Sequence, residues 1–276
     1  MTITIFSVTG CVRCKIAKNF MSEQGISFVE KNMKEEGKED FQAFYKANRN
    51  AIFRGPEGIE FPIIYDGENI RQSIGAVMAF LYHGKKLDGF FSVGTMHKEW
   101  VDGIHVSGGN PKYTEEFLEV LRFLKNNNFK LQVDTNGKNS SILKRIFEEN
   151  LADVLIMNVL GPEKLYGQLA GEEIDIEDVK RSLALIPEFP KFKIQTTIVP
   201  VTREDGTVNY FTPEEIGETA KFIEEGTGTK KNPYVIKAFN PKTSSNPAYK
   251  SLEPLENLFP YRSKARMYQV FTEIEN

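Results

Sequence analysis

The sequence predicts an α/β protein built in two parts, and three observations carry that prediction. Short apolar runs of period two alternate along the chain with longer runs whose apolar residues recur at helical spacing. The order of these runs changes near residue 84. Before it they read β-α-β-α-β-β-α, and beyond Trp100 strand and helix alternate strictly, the pattern of a parallel sheet with covering helices. The only two cysteines in 276 residues, Cys11 and Cys14, lie where the first strand turns into the first helix. The predicted organisation is therefore a small domain over 1–83, a connecting stretch over 84–100 and a second region over 101–276.

Each element has its own signal. Ile3 and Ile5 alternate with Thr2 and Thr4 in a first strand, and Ile16, Ala17, Phe20 and Met21 share one face of a helix that Gly25 stops. Residues 26–30 read as a strand, and 38–48 as an amphipathic helix carrying Phe41, Phe44 and Tyr45. The run 61–65 leads into Asp66-Gly67, a strong hairpin signal, after which Ile70 re-enters the sheet and 73–82 closes the unit as a helix. Residues 84–100 break both periodicities, which places the domain boundary there. Beyond it, strands are expected at 103–106, 130–134, 154–159, 193–199 and 234–239, with helices at 115–126, 140–149, 176–186 and 213–225. Trp100 is expected to pack between domains, and His105, inside a strand, to be a satisfied polar group.

Composition excludes some function classes. A net charge of -3 gives no electrostatic reason to expect nucleic acid as a partner. No apolar run approaches the ~20 residues of a membrane span, and the N-terminus lacks a basic segment leading into a longer apolar stretch. The expected location is the cytoplasm, where a C-x-x-C pair is a redox centre more often than a structural staple.

The placement of Cys11 and Cys14 has chemical meaning. A thiol at a helix N-terminus faces unpaired backbone N–H groups and the positive end of the helix dipole, which favour thiolate. Arg13 and Lys15 add positive charge and are expected to contact substrate. Cys11 is the expected nucleophile and Cys14 the resolving thiol. A zinc site would need about four ligands, and His83, His97 and His105 are not paired at ligand spacing, so no metal site is expected. An inert buried pair is the other bland alternative, and the adjacent Gly10 and basic residues speak against it.

The motifs Cys11-Val12-Arg13-Cys14, Phe61-Pro62 and Asp66-Gly67, in this order, resemble the thioredoxin fold and its glutaredoxin branch most closely. The resemblance covers residues 1–83. It implies that Pro62 is a cis-proline beside the active site and that the Phe61 backbone pairs with an extended substrate. Val12 and Arg13 stand where glutaredoxins usually carry Pro and Tyr, so a preference for glutathione does not carry over. The segment 48–60, with Arg54-Gly55-Pro56-Glu57-Gly58, is longer than a typical glutaredoxin connection and is expected to shape substrate choice.

A second resemblance covers most of 101–276. The stretches Ser107-Gly108-Gly109-Asn110-Pro111, Val133-Asp134-Thr135-Asn136-Gly137, Met157-Asn158-Val159 and Gln195-Thr196-Thr197-Ile198-Val199-Pro200 look like those of radical S-adenosylmethionine activating enzymes, in the style of the activators of anaerobic ribonucleotide reductase. The resemblance implies a partial (β/α) barrel of about five parallel strands, with a remnant cofactor pocket at Gly108, Gly109, Asn110, Asp134, Asn136 and Asn158. The family holds a [4Fe–4S] cluster by a C-x-x-x-C-x-x-C loop, whereas this chain has no cysteine beyond position 14, and Asn110 replaces the glutamate of the glycine motif.

The expectation from these readings is a cytoplasmic dithiol–disulfide oxidoreductase. It requires no cofactor and no [4Fe–4S] cluster, draws electrons from a disulfide reductase, and reduces a protein disulfide such as that of anaerobic ribonucleotide reductase. The alternative is an adaptor or a binder of S-adenosylmethionine or a related adenosyl ligand, with a redox-sensing dithiol. A third arrangement, a cluster bridging two Cys11 thiolates, would colour an anaerobic preparation.

Overall fold

A computed structural model describes residues 2–244 and 246–275. The chain divides into two compact units, Met1–Val133 with Glu149–Asp153 and Asp134–Glu148 with Val154–Asn276.

The first unit opens with β1 (Ile3–Ser7), α1 (Val12–Glu23), β2 (Phe28–Asn32), α2 (Lys38–Ala47), β3 (Ile63–Tyr65), β4 (Ile70–Gln72) and α3 (Ile74–His83). The four strands form a sheet in the order β2-β1-β3-β4, parallel between β1 and β2 and antiparallel elsewhere. Gly25, at φ +66°, turns the chain out of α1, a left-handed backbone that glycine adopts without a steric penalty. The Phe61-Pro62 peptide is cis. Buried Gln72 clamps the long 48–60 segment. Its Oε1 accepts from Phe53 N (2.9 Å), while its Nε2 donates to the carbonyls of Phe53 (2.9 Å) and Glu60 (3.2 Å).

Residues 84–100 belong to this same unit. Gly84–Leu87 forms a 3-10 turn, and the next residues run antiparallel along the edge of β5 (Trp100–His105), where His105 N donates to Phe90 O and Ser92 N to Gly103 O. An open sheet edge needs such cover. Here the connecting segment supplies it. Trp100 lies under the Lys130 ammonium, 5.6 Å from the ring centre, and His105 Nε2 sits 2.7 Å from Ser92 Oγ. Next come α4 (Thr114–Asn126) and β6 (Lys130–Thr135). Phe123 of α4 meets the rings of Phe20 and Tyr82, joining α1, α3 and α4 around one aromatic cluster.

The second unit continues with α5 (Ser140–Glu148), β7 (Val154–Asn158), α6 (Tyr166–Ala170), α7 (Ile176–Leu185), β8 (Phe192–Ile198), β9 (Pro200–Thr202), β10 (Val208–Tyr210), α8 (Pro213–Thr227), β11 (Tyr234–Ala238), α9 (Pro247–Lys250), α10 (Phe259–Ala265) and β12 (Thr272–Glu275). The α8 start carries a full capping box between Thr212 and Glu215. The large parallel sheet has six strands in the order β12-β11-β8-β7-β6-β5, one more than the five expected. The extra strand, β12, is only Thr-Glu-Ile-Glu, too short and too acidic to announce itself. The β9–β10 hairpin was likewise not anticipated.

Candidate functional site

The dithiol turn predicted from sequence is well built. Cys11 and Cys14 are joined in a disulfide, and Cys11 Sγ, at the N-cap of α1, accepts from Cys14 N at 3.0 Å. Cys14 is buried, as are Phe61 and Pro62, while Lys15 is exposed. Arg13 does not face outward. It is only 7% exposed, pairs with Glu60 at 2.5 Å, and donates to the carbonyls of Met96, Lys98 and Trp100. The buried guanidinium therefore ties the turn to the connecting segment. Beside it, His97 lies 2.9 Å from Glu60 and 3.1 Å from Glu57. Nearby Glu30 is held below the usual carboxylate range. Burial alone would raise it, but hydrogen bonds from Lys18 and Ser7 outweigh that effect.

The glycine pair also has a packing role. A Cβ on Gly108 would stand 2.3 Å from Gly89 O, and one on Gly109 would stand 2.1 Å from the ring of Phe90, which is itself buried and stacked on Phe117. Neither position has room for a side chain. Asn110 caps the following turn by accepting from Lys112 N.

In the second unit, Asn136 O accepts from the Tyr166 hydroxyl at 2.6 Å, and Gly137 packs so tightly against Val179 that a Cβ would meet it at 2.7 Å. Asn158, the last residue of β7, leads to a feature that motif reading missed. The register pairs Asn158 with Gln195, Gln195 with Val235, Thr197 with Lys237, and Lys237 with Glu275, so these residues share one face of β7, β8, β11 and β12. The opposite face of β8 and β11 carries Ile194, Thr196, Ile198, Tyr234 and Ile236, all buried. Strands of a parallel sheet are usually apolar on both faces. Lys193, Gln195, Thr197 and Lys237 at alternating positions were the legible signal of a different use for this face.

On it, Gln195 Nε2 donates to Asn158 Oδ1 at 2.6 Å, and Gln195 Oε1 is buried with no hydrogen-bond partner. A buried acceptor left unpaired costs about 1–3 kcal/mol. Lys237 Nζ pairs with Glu275 at 2.8 Å, and Lys193 reaches the same carboxylate at 3.7 Å. The Lys237 hydrogen bond is the main reason the Glu275 carboxyl lies below its ordinary range. Just beyond the carboxyl ends of β8 and β11, Val199 and Phe239 line a cleft of about 220 Å³ with Gln168, Thr202 and Tyr249, whose ring meets Phe239 edge-on.

No family model matches the chain. A sequence relative, 25% identical over 165 residues, carries the name of a glycyl-radical enzyme activating enzyme from Methanocaldococcus jannaschii. The match takes in 57% of this chain and 63% of the relative, so the chain spans less than two thirds of that protein's length. Among solved structures, a domain of a pyruvate-formate lyase-activating enzyme from Bacteroides vulgatus aligns at a TM-score of 0.40 and 11% identity, over 63% of this chain and 98% of that one. TYW1 with a lysine-pyruvate adduct bound aligns at 0.33 and 16%, over 55% and 60%. At these scores neither structure bears on function.

The sequence relationship corrects two expectations. It points to activating enzymes of the radical S-adenosylmethionine kind, and the thiol–disulfide oxidoreductase of glutaredoxin type expected from Cys11 and Cys14 is overturned. The expectation that no cofactor is required falls with it, since such enzymes use S-adenosylmethionine and a [4Fe–4S] cluster. The residues of this chain do not fit the cluster, however. Its two cysteines are bonded to each other, and among the described residues no group of three or more His, Cys, Asp or Glu is placed to hold a metal ion. Among the described residues, no helix is long and apolar enough to cross a membrane.

Proposed function

We propose that this chain serves a glycyl-radical enzyme activating system by binding S-adenosylmethionine, or a closely related adenosyl ligand, on the polar face of β7, β8 and β11. The observation that carries this reading is the buried, unpaired Gln195 Oε1, an acceptor waiting for a donor on a face of otherwise half-buried polar side chains. The residues suit such a ligand chemically. The cleft at Val199, Phe239 and Tyr249 offers an apolar, aromatic seat for a purine, and the row from Thr197 and Lys237 to Gln195 and Asn158 offers a hydroxyl, a cation and two amides for the polar remainder. Ligands of α/β folds gather at the carboxyl ends of parallel strands, where this cleft lies.

In this reading the second region is a partial (β/α) barrel, and residues 1–83 form a thioredoxin-fold domain. The element order, the cis Phe61-Pro62 peptide and the sheet order β2-β1-β3-β4 support the latter. The partner is a glycyl-radical enzyme, with anaerobic ribonucleotide reductase as the first to try. Titration calorimetry of the full chain with S-adenosylmethionine tests the reading. Saturable one-to-one binding is expected, and absence of binding up to millimolar ligand overturns it.

A further inference from the structure

Resting on the adenosyl reading, we propose that Gln195 and Lys237 recognise the α-amino-acid end of the ligand, Gln195 Oε1 accepting from its ammonium group and Lys237 Nζ donating to its carboxylate.

The argument begins with hydrogen-bond capacity. A glutamine amide has two acceptor sites on its oxygen and two donors on its nitrogen. Here Nε2 is engaged by Asn158 Oδ1, which fixes the amide's orientation, and Oε1 is buried with none of its acceptor capacity used. A buried carbonyl needs a donor, and on a polar face a ligand's donor is able to supply it. An ammonium group is the strongest donor that a neutral carbonyl of this kind can take.

Lys237 supplies the complementary charge. Its ammonium has three donors, of which the contact with Glu275 at 2.8 Å uses one. Glu275 also takes Lys193, so the three groups carry a net positive charge on the face where Gln195 lies. A carboxylate is the natural group to balance it. Gln195 and Lys237 stand on neighbouring strands, offset by two residues in the parallel register. A strand spacing of about 4.8 Å and a rise of about 3.3 Å per residue set their Cα atoms roughly 8 Å apart. Two long side chains from that separation can converge on one amino-acid group, whose ammonium and carboxylate are borne by the same carbon.

The test compares S-adenosylhomocysteine with methylthioadenosine, which shares its neutral adenosyl thioether and lacks the amino-acid end. Both are titrated into the full-length wild type, Gln195→Leu, Gln195→Glu and Lys237→Met, with each variant's fold checked by circular dichroism. The wild type should bind S-adenosylhomocysteine at least tenfold more tightly than methylthioadenosine. Gln195→Leu and Lys237→Met should each erase that preference while leaving methylthioadenosine affinity unchanged, and Gln195→Glu, which keeps the acceptor, should retain it. If the wild type binds both compounds equally, or the variants lose both together, the assignment of Gln195 and Lys237 is wrong and the adenosyl reading stands. If neither compound binds the wild type, the adenosyl reading itself fails and takes this assignment with it.

Discussion

The dithiol turn and the polar face of β7, β8 and β11 make opposite uses of their polar groups. At the turn every conspicuous group is answered from within: Arg13 by Glu60 and three carbonyls, Glu30 by Ser7 and Lys18, and Cys11 by Cys14. On the strand face a buried amide oxygen has no answer at all. The region with the loudest motif is the more self-contained, and the region without one has chemistry left over. A pattern of residue types marks where chemistry is able to occur, whereas an unsatisfied buried acceptor marks a place that water or a ligand completes.

The largest effect that would break this comparison is at Arg13. Replacing it with Leu leaves the half-buried Glu60 with His97 as its remaining partner and three carbonyls without their donor, and should cost about 3 kcal/mol in urea unfolding. A loss below 1 kcal/mol would show that the turn is not held this way. The glycine pair comes next. Gly109→Ala drives a methyl into the Phe90 ring, which Phe117 prevents from moving aside, and should destabilise by roughly 1–3 kcal/mol whether or not ligand is present. A Gly109→Ala protein of normal stability that no longer binds ligand would return the pair to a purely ligand-binding role.

Gln195→Leu should behave in the opposite way to Arg13→Leu. It removes the unpaired acceptor together with the hydrogen bond to Asn158, so the unfolding free energy should stay within about 1 kcal/mol of wild type while ligand selectivity is lost. The smallest effect is a pH dependence. Glu30 has a folded pKa below its unfolded value of 4.5, so its stabilising contribution is complete above that value and is lost as pH falls through the folded one. Between pH 5 and pH 3 the wild type should lose more stability than Glu30→Gln, and parallel curves would show that Lys18 and Ser7 do not hold the charge.

Much of the fold was legible because it is local. Apolar spacing located α2 and α4 to within about one residue and α1 to within about three, and Asp66-Gly67 located the β3–β4 turn. β12 was not legible, since four residues with two glutamates acquire strand structure only by pairing with β11. The connecting segment was not legible either. Its residues have no periodicity of their own, and they become ordered through β5, Asp102 and Arg13.

The sequence by itself determined the alternation of strands and helices, the position of the dithiol turn at a helix start and the absence of a cysteine set for a cluster, because each depends on residue identity and short-range spacing. Only the tertiary structure decided that Arg13 faces inward, that Gly108 and Gly109 serve close packing, and that Gln195 keeps a buried oxygen unpaired. Those outcomes depend on which atoms from distant segments arrive within hydrogen-bond reach, and register between strands, rather than spacing along the chain, settles that.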